Sequence, residues 1–425
     1  SNNIFKNNKL KTQKVVMRLI QLKARKQLRQ DTHPRLADGD GLTMEDAVYT
    51  HIVTSRSQVS RVMHSTLWFR SNRCLHDPFV HFMRMHLGLL PLMRPWCRPS
   101  THNDESFNVC GACNDLDYRM TSRGMHLVQC KCTYHDRYLA HELVNGVYNL
   151  FAKEAGATTV VNPSTDAMMM SKLGDARSRL LFPGNNTQAE EMRKQLDTLT
   201  TILASQRTKD DSDRTRAAIN TLLESVPKAL AGLKVDLIAT FPSDVLWIDV
   251  GIVHPTASSY LSRAAAFATK VHAAEEIAGS NMALNTMQGK ASPPVHEYQT
   301  HKLKKYAKML DAAKVQVQNG TRGTIPTLMA CIISHAGELS PNAFLAVETI
   351  TRYYKQGVAK QPSEDGIRLA RRTALFRTRF KDALMTANIN GFGATLSGAG
   401  QPKAGRASCV PDSLVPEWGE WGAAY

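Results

Sequence analysis

The sequence predicts a mixed α+β and α/β fold, with a helical, basic N-terminal part and a sheet-containing core followed by C-terminal helices. First, the chain has 425 residues, 43% of them hydrophobic, which is enough to bury at least one full core. Second, amphipathic helical patterns alternate with apolar runs of strand length over residues 138–386. Third, the formal net charge is +16, so nucleic acid is the expected partner.

Residues 1–62 are predicted to form a basic arm and helices. The first 30 residues hold nine basic side chains and no acidic one, and a thin apolar stripe runs through residues 13–30. Such segments are typical of nucleic-acid-binding arms and of organellar presequences. No run approaches the roughly 18 apolar residues of a membrane span, so no membrane partner is expected. The candidate nucleic-acid-binding residues are Lys6, Lys9, Lys11, Lys14, Arg18, Lys23, Arg25, Lys26 and Arg29.

Residues 63–135 are predicted to hold a helical segment and a zinc site. Aromatic and methionine side chains recur at helical spacing over residues 64–92, which indicates a core-facing helix. A C-x2-C-x12-H-x3-C pattern follows and suits a tetrahedral, structural Zn²⁺ site, with Cys132 or His135 as alternative ligands. Its proposed ligands are Cys110, Cys113, His126 and Cys130.

Residues 136–360 are predicted to form the αβ core. Its elements, in order, are a helix over 138–155 that ends at Gly156, a strand over 158–161, and a helical insertion at about 187–230. Two strands over 233–241 and 245–253 form a hairpin, and helices over 258–277 and 297–318, a strand over 326–334 and a helix over 342–356 follow. We expect a C-terminal helix within 361–390 and a Gly/Ala/Ser/Pro-rich extended tail over 391–425.

The hairpin carries the candidate catalytic residues. Asp236 and Asp249 stand on either side of its turn, so both carboxylates can face one cleft and hold Mg²⁺ against a phosphate. A lysine could stabilise the developing charge. The sequence supplies Lys302, Lys304 and Lys305 on the helix two elements later.

The order of these motifs resembles the region downstream of the polymerase in non-LTR retroelement reverse transcriptases. The resemblance covers about residues 64–355 and implies a zinc knuckle followed by a restriction-like endonuclease domain of the PD-(D/E)xK type. It implies that Asp236 and Asp249 bind metal and that Lys305, with Lys302 as a second candidate, assists cleavage of a DNA strand. The motifs are the cysteine-histidine pattern, His135-Asp136, Val235-Asp236, Ile248-Asp249-Val250 through His254-Pro255, and Lys302-x2-Lys305-Tyr306.

The sequence leaves two functions open. No polymerase region is present, and Val235 stands where the family has a proline. Both features favour a retroelement-derived structural subunit of a large ribonucleoprotein, such as the mitochondrial ribosome, that binds RNA rather than DNA and contacts other protein subunits. The alternative is an active metal-dependent DNA endonuclease of a non-LTR retroelement. A mitochondrial location follows from the first interpretation, and a nuclear location is the alternative.

Overall fold

The computed structural model describes residues 48, 74, 76–86, 134–164, 168–169, 186–206, 208–224, 234–278, 291–359 and 366–398. In these ranges, the four strands are β1 (Thr158–Val161), β2 (Leu237–Thr240), β3 (Val245–Val253) and β4 (Thr327–Ser334). The helices are α1 (His76–His86), α2 (Tyr134–Glu154), α3 (Asn186–Ser205), α4 (Lys209–Glu224), α5 (Ser258–Ala278), α6 (Pro293–Lys305), α7 (Ala307–Gln318), α8 (Pro341–Ala359) and α9 (Gly366–Gly398).

The strands form one mixed sheet in the order β1-β2-β3-β4. β1 and β2 are antiparallel, and β2 pairs antiparallel with β3 across the turn at 241–244. β4 lies parallel to β3, which requires a long crossover, and helices α5, α6 and α7 supply it. The mixed α+β fold expected from the sequence is therefore confirmed.

Alternate residues of the strands face two different helical layers. On one face, side chains such as Ile248 and Cys331 pack with α2, α8 and α9 in the larger core. On the other face, Trp247 packs with Tyr306 and Met309 at the junction of α6 and α7. Since Asp249 lies two residues after Trp247 on β3, it shares that second face.

Helices α3 and α4 pack against each other as a helical hairpin between β1 and β2. Their shared buried side chains include Met192, Leu196 and Ile219. This pair corresponds to the helical insertion that the sequence predicts at about 187–230, and α4 runs over Lys209–Glu224.

The C-terminal helix is longer than predicted, and the predicted boundary of the tail at residue 391 is wrong. α9 continues to Gly398, and Phe392 and Leu396 are buried in the larger core. The glycines after residue 390 suggest a linker, but in the structure they allow α9 to pack closely against α1 and α2. A Cβ at Gly391 would lie 2.3 Å from the Cα of Ala140 on α2, and a Cβ at Gly393 would lie 2.0 Å from the main-chain oxygen of Pro78 on α1.

The single helix predicted over 297–318 is two helices. α6 ends and α7 begins at Tyr306, whose φ of −96° and ψ of 0° leave the α-helical region. Tyr306 is fully buried. The break therefore turns this one side chain into the apolar cluster that contains Trp247 and Met309. The helical periodicity of the sequence does not predict such a break.

No helix in the described ranges is long and apolar enough to cross a membrane.

We predict that Gly391→Ala lowers the free energy of unfolding by about 1–3 kcal/mol, because its methyl group would collide with the backbone of α2. Gly357→Ala is the matched control, since it also lies in a helix but has open space around its Cα. The control should raise stability by about 0.5–1 kcal/mol through helix propensity. Urea unfolding of both variants measures the difference, and equal effects would contradict the close packing of α2 and α9.

Candidate active site

Two aspartates and a lysine meet where β2 and β3 face α6. Asp236 directly precedes β2, and its backbone N–H donates to Ile248 of β3 at 3.0 Å. Asp249 lies within β3 and is 2% exposed. The Asp236 carboxylate accepts the backbone N–H of Val250 at 2.6 Å, so it lies beside the residue that follows Asp249. The hairpin therefore brings both carboxylates into one place, as the sequence predicts.

Both oxygens of Asp249 are engaged by side chains from the α6–α7 region. The Lys302 ammonium lies 2.9 Å from Oδ2, and the Tyr306 hydroxyl lies 3.0 Å from Oδ1. The same hydroxyl lies 2.5 Å from the main-chain oxygen of Lys234, two residues before Asp236. Tyr306 therefore links the two segments that carry the aspartates.

Asp236 is held by α2. The Nε2 of His141 lies 3.1 Å from Asp236 Oδ2, and its Nδ1 lies 3.1 Å from Glu142 Oε1. One turn further along α2, Asn145 donates from Nδ2 to the main-chain oxygen of Asp236 at 3.3 Å. The loop before β2 is thus fixed to α2 by a side chain contact and a main-chain contact.

Lys302, rather than Lys305, is the lysine that contacts the aspartates. Besides Asp249, its ammonium donates to the main-chain oxygen of Val250 at 3.2 Å, and its side chain is 15% exposed. Lys305 is half-buried, and its ammonium lies 5.1 Å from the centre of the Tyr306 ring. In the described part of the chain, no ion pair joins Lys305 to Asp236 or Asp249. The structure therefore places Lys302, the second candidate of the resemblance, against Asp249, and Lys305, its first candidate, beside the Tyr306 ring.

A glycine on β3 makes room for this arrangement. A Cβ at Gly251 would lie 2.7 Å from Cε1 of Tyr298 and 2.6 Å from Cδ1 of Ile332. Because Gly251 has no Cβ, the Tyr298 ring can lie against the strand, and the Lys302 ammonium stands 5.7 Å from the centre of that ring. An ammonium near an aromatic ring is attracted by its quadrupole. Gly251 and Tyr298 thus help to hold Lys302 over β3.

Burial and charge act in opposite directions on the ion pair. Burial lowers the pKa of Lys302, but the neighbouring negative charge and hydrogen bond of Asp249 outweigh that effect and raise it. Burial raises the pKa of Asp249, and the positive charge of Lys302 opposes this rise. Burial also lowers the pKa of Lys305. Lys302 is therefore the permanent cation of the site.

His141 is a second cation at the site. Burial lowers its pKa, but the hydrogen bonds and charges of Asp236 and Glu142 outweigh burial and raise the pKa to about 9. The hydrogen bond from His141 in turn lowers the pKa of Glu142. Both ring nitrogens then donate to carboxylates at neutral pH, which is the geometry of an imidazolium.

The donor set suits a hard divalent cation held partly by substrate. Mg²⁺ prefers carboxylate and carbonyl oxygens, and it is commonly bound by one or two carboxylates together with water and phosphate oxygens. Asp236, Asp249 and the main-chain oxygen of Val250 provide such oxygens. The described residues contain no group of three or more His, Cys, Asp or Glu side chains arranged to hold a metal. A cation here would therefore complete its coordination with water and substrate.

The other predicted sites lie outside the described residues. These are the zinc ligands Cys110, Cys113, His126 and Cys130, with the alternative Cys132, and the whole basic arm of residues 1–30. They stay predictions. His135, the second alternative ligand, lies in the first turn of α2.

The sequence interpretation missed three contributors to this site: His141, Asn145 and Tyr306. His141 and Asn145 stand four residues apart on α2, so they occupy one face of that helix. Polar residues at helical spacing within a helix that precedes a strand were the available signal. Tyr306 was part of the quoted lysine–tyrosine motif, but only its contacts with Asp249 and Lys234 show what it does.

Comparison with known proteins gives no relative for this chain. No protein-family model, no curated protein sequence and no solved structure matches it.

The raised pKa of His141 predicts a pH-dependent contribution to stability. With a pKa near 6.5 unfolded and about 9 folded, the contribution is complete below pH 6.5 and is lost as pH rises through 9. At 1.36 kcal/mol per pKa unit, the contribution amounts to at most about 3 kcal/mol.

The measurement compares the unfolding free energies of wild type and His141→Gln at pH 6 and pH 9.5, with EDTA present. The difference between them should be large at pH 6 and small at pH 9.5. His296→Gln is the control, because His296 is exposed on α6. A difference that stays constant with pH would contradict the ion pair with Asp236.

Proposed function

We propose that this chain is a metal-dependent nuclease that cleaves phosphodiester bonds in DNA, with its site at Asp236, Asp249 and Lys302. The observation that carries the proposal is the contact of Lys302 with the buried Asp249 on β3, beside the Asp236 carboxylate. Strongly perturbed ionisable groups around one cluster of opposite charges are typical of functional sites. The net charge of +16 adds a general attraction for a polyanionic substrate.

Each side chain has a distinct part in this proposal. Asp236 and Asp249 would hold the divalent cation, which supplies charge neutralisation at the phosphate and activation of a water molecule. Lys302 would stabilise the negative charge that develops on the phosphate oxygens. Tyr306 helps to orient Asp249 through a hydroxyl proton shared between Oδ1 and the main-chain oxygen of Lys234, and His141 fixes Asp236 from the other side.

The mixed sheet and the resemblance to retroelement endonucleases also support a particular type of nuclease, one with a restriction-like core that acts on DNA. β2 and β3 form the predicted hairpin, and α6 crosses the sheet face that carries Asp249. This arrangement is compatible with a restriction-like core. The proposed substrate is accordingly a DNA strand, and the proposed cofactors are Mg²⁺ at the aspartates and a structural Zn²⁺ at the cysteine-histidine motif.

We predict that Asp249→Ala and Lys302→Ala each reduce Mg²⁺-dependent nicking of plasmid DNA by at least about 100-fold, because each removes a charge that acts on the scissile phosphate. DNA binding measured in EDTA should change little. The exposed Lys304→Ala, on the same helix, is the control and should keep wild-type activity.

Lys305→Ala distinguishes the contributions of the two lysines that the resemblance suggests as assisting cleavage. Because Lys302 makes the contact with Asp249, we expect a smaller loss from Lys305→Ala than from Lys302→Ala. A wild-type protein that binds DNA but does not nick it in Mg²⁺ or Mn²⁺ would refute the proposed activity.

One observation favours the second candidate, a structural RNA-binding subunit of a large ribonucleoprotein. Lys302 already pairs with Asp249, and His141 already pairs with Asp236, so each aspartate has a cationic partner within the protein itself. A site of that kind keeps its fold without a metal ion and without substrate. In this proposal the αβ core is a rigid platform, and the basic arm binds RNA phosphates.

The second candidate predicts that the native protein sediments with a large particle that RNase treatment disperses. Sequencing of the RNA from that fraction would identify the particle, and ribosomal RNA is the expected result for a mitochondrial ribosome subunit. Sedimentation as a small species, unchanged by RNase, would exclude this function.

A further inference from the structure

We infer that the Lys302 ammonium occupies the cation position of the site in the metal-free protein, and that a divalent cation binds there only by displacing it. The inference rests on the proposed function, because it concerns the cation that Asp236 and Asp249 would hold. It concerns the order of events: Lys302 first stands in for the cation and only afterwards acts on the phosphate.

The ammonium contacts oxygens of the type that a hard cation uses. It lies 2.9 Å from Asp249 Oδ2 and 3.2 Å from the main-chain oxygen of Val250. A carboxylate oxygen and a carbonyl oxygen are both ligands for Mg²⁺ or Mn²⁺ at about 2.0–2.2 Å. A metal ion and an ammonium cannot both approach these oxygens closely, because each is a cation and each needs the same lone pairs.

The other oxygen of the Asp249 carboxylate, Oδ1, offers no free position at which a divalent cation could bind. Oδ1 already accepts a hydrogen bond from Tyr306 at 3.0 Å, and the side chain is 3% exposed. The ring of Tyr298, which lies against β3 at Gly251, borders the Lys302 side chain. A cation that approaches from the Asp236 side therefore meets the ammonium at Oδ2.

Displacement is physically feasible because Lys302 has somewhere to move. Its side chain is 15% exposed, and its four-carbon stem can turn the ammonium outwards. The entering cation repels the ammonium and so drives this movement. The displaced ammonium would then stand at the mouth of the site, where a phosphate oxygen of the substrate can receive it.

The competition predicts that removal of the Lys302 charge strengthens metal binding. A lysine that acts only on the phosphate would leave metal affinity unchanged or would weaken it through loss of structure. We expect Lys302→Met to bind Mn²⁺ at least tenfold more tightly than wild type at a site that depends on Asp249.

The experiment titrates the full chain with Mn²⁺ and follows free Mn²⁺ by electron paramagnetic resonance. Asp249→Asn, alone and combined with Lys302→Met, defines the binding that does not involve this site. Lys304→Met is the matched control, because it removes the same charge from an exposed position on the same helix, and it should bind Mn²⁺ within about twofold of wild type.

Lys302→Gln is a second variant in case the methionine leaves Asp249 too poorly paired for folding. Glutamine keeps a donor for the oxygens of Asp249 and Val250 but carries no charge, so Mn²⁺ affinity should again rise. Equal or weaker Asp249-dependent binding in both variants would overturn the inference while leaving the proposed function intact. Absence of any Asp249-dependent binding in wild type and variants would overturn the proposed function and the inference together.

Discussion

The ion pair between Asp249 and Lys302 is the interaction on which the arrangement of this fold depends. Burying a carboxylate in a sheet costs several kcal/mol unless a counter-ion and hydrogen bonds accompany it. Lys302 and Tyr306 supply these partners from α6 and from the α6–α7 junction. The crossover between β3 and β4 must therefore place both side chains over the same residue of β3. Gly251 leaves room on β3 for the ring of Tyr298, which stands beside the Lys302 ammonium.

The two aspartates are held in different ways, although the hairpin brings them together. Asp249 is almost fully buried and is paired with a lysine from the crossover helices. Asp236 is 14% exposed in its side chain and is paired with His141 from the helix that precedes the sheet. One carboxylate is therefore fixed by a side chain from each helical layer, and Asp236 stands directly before the first residue of β2.

The sequence predicts the parts of this fold that depend on local periodicity. β1 and β3 have the predicted bounds, since alternating or continuous β-branched residues between turn residues leave little choice. The predictions fail where tertiary packing decides. Tyr306 interrupts a helical pattern in order to reach Asp249, and the glycines after residue 390 allow α9 to approach α1 and α2. Neither effect is visible in the spacing of residues along one element.

In the candidate site, too, some features follow from the local sequence and others depend on tertiary packing. The pair Asp236 and Asp249 follows from the hairpin alone, because residues on either side of a short turn must come together. The choice between Lys302 and Lys305 does not follow from sequence, since a rotation of the helix by less than one turn decides which ammonium reaches β3. His141 is still harder to find, because its partner lies 95 residues away in the chain.

Stability alone does not account for this buried charge cluster. A buried ion pair contributes little net stability, and apolar side chains of similar volume often replace one without loss. In the proposed function, the cluster instead supplies two anionic oxygen donors that stay in place and a cation that moves. Those are the properties that binding of a metal ion and a phosphate requires, and an apolar core would have none of them.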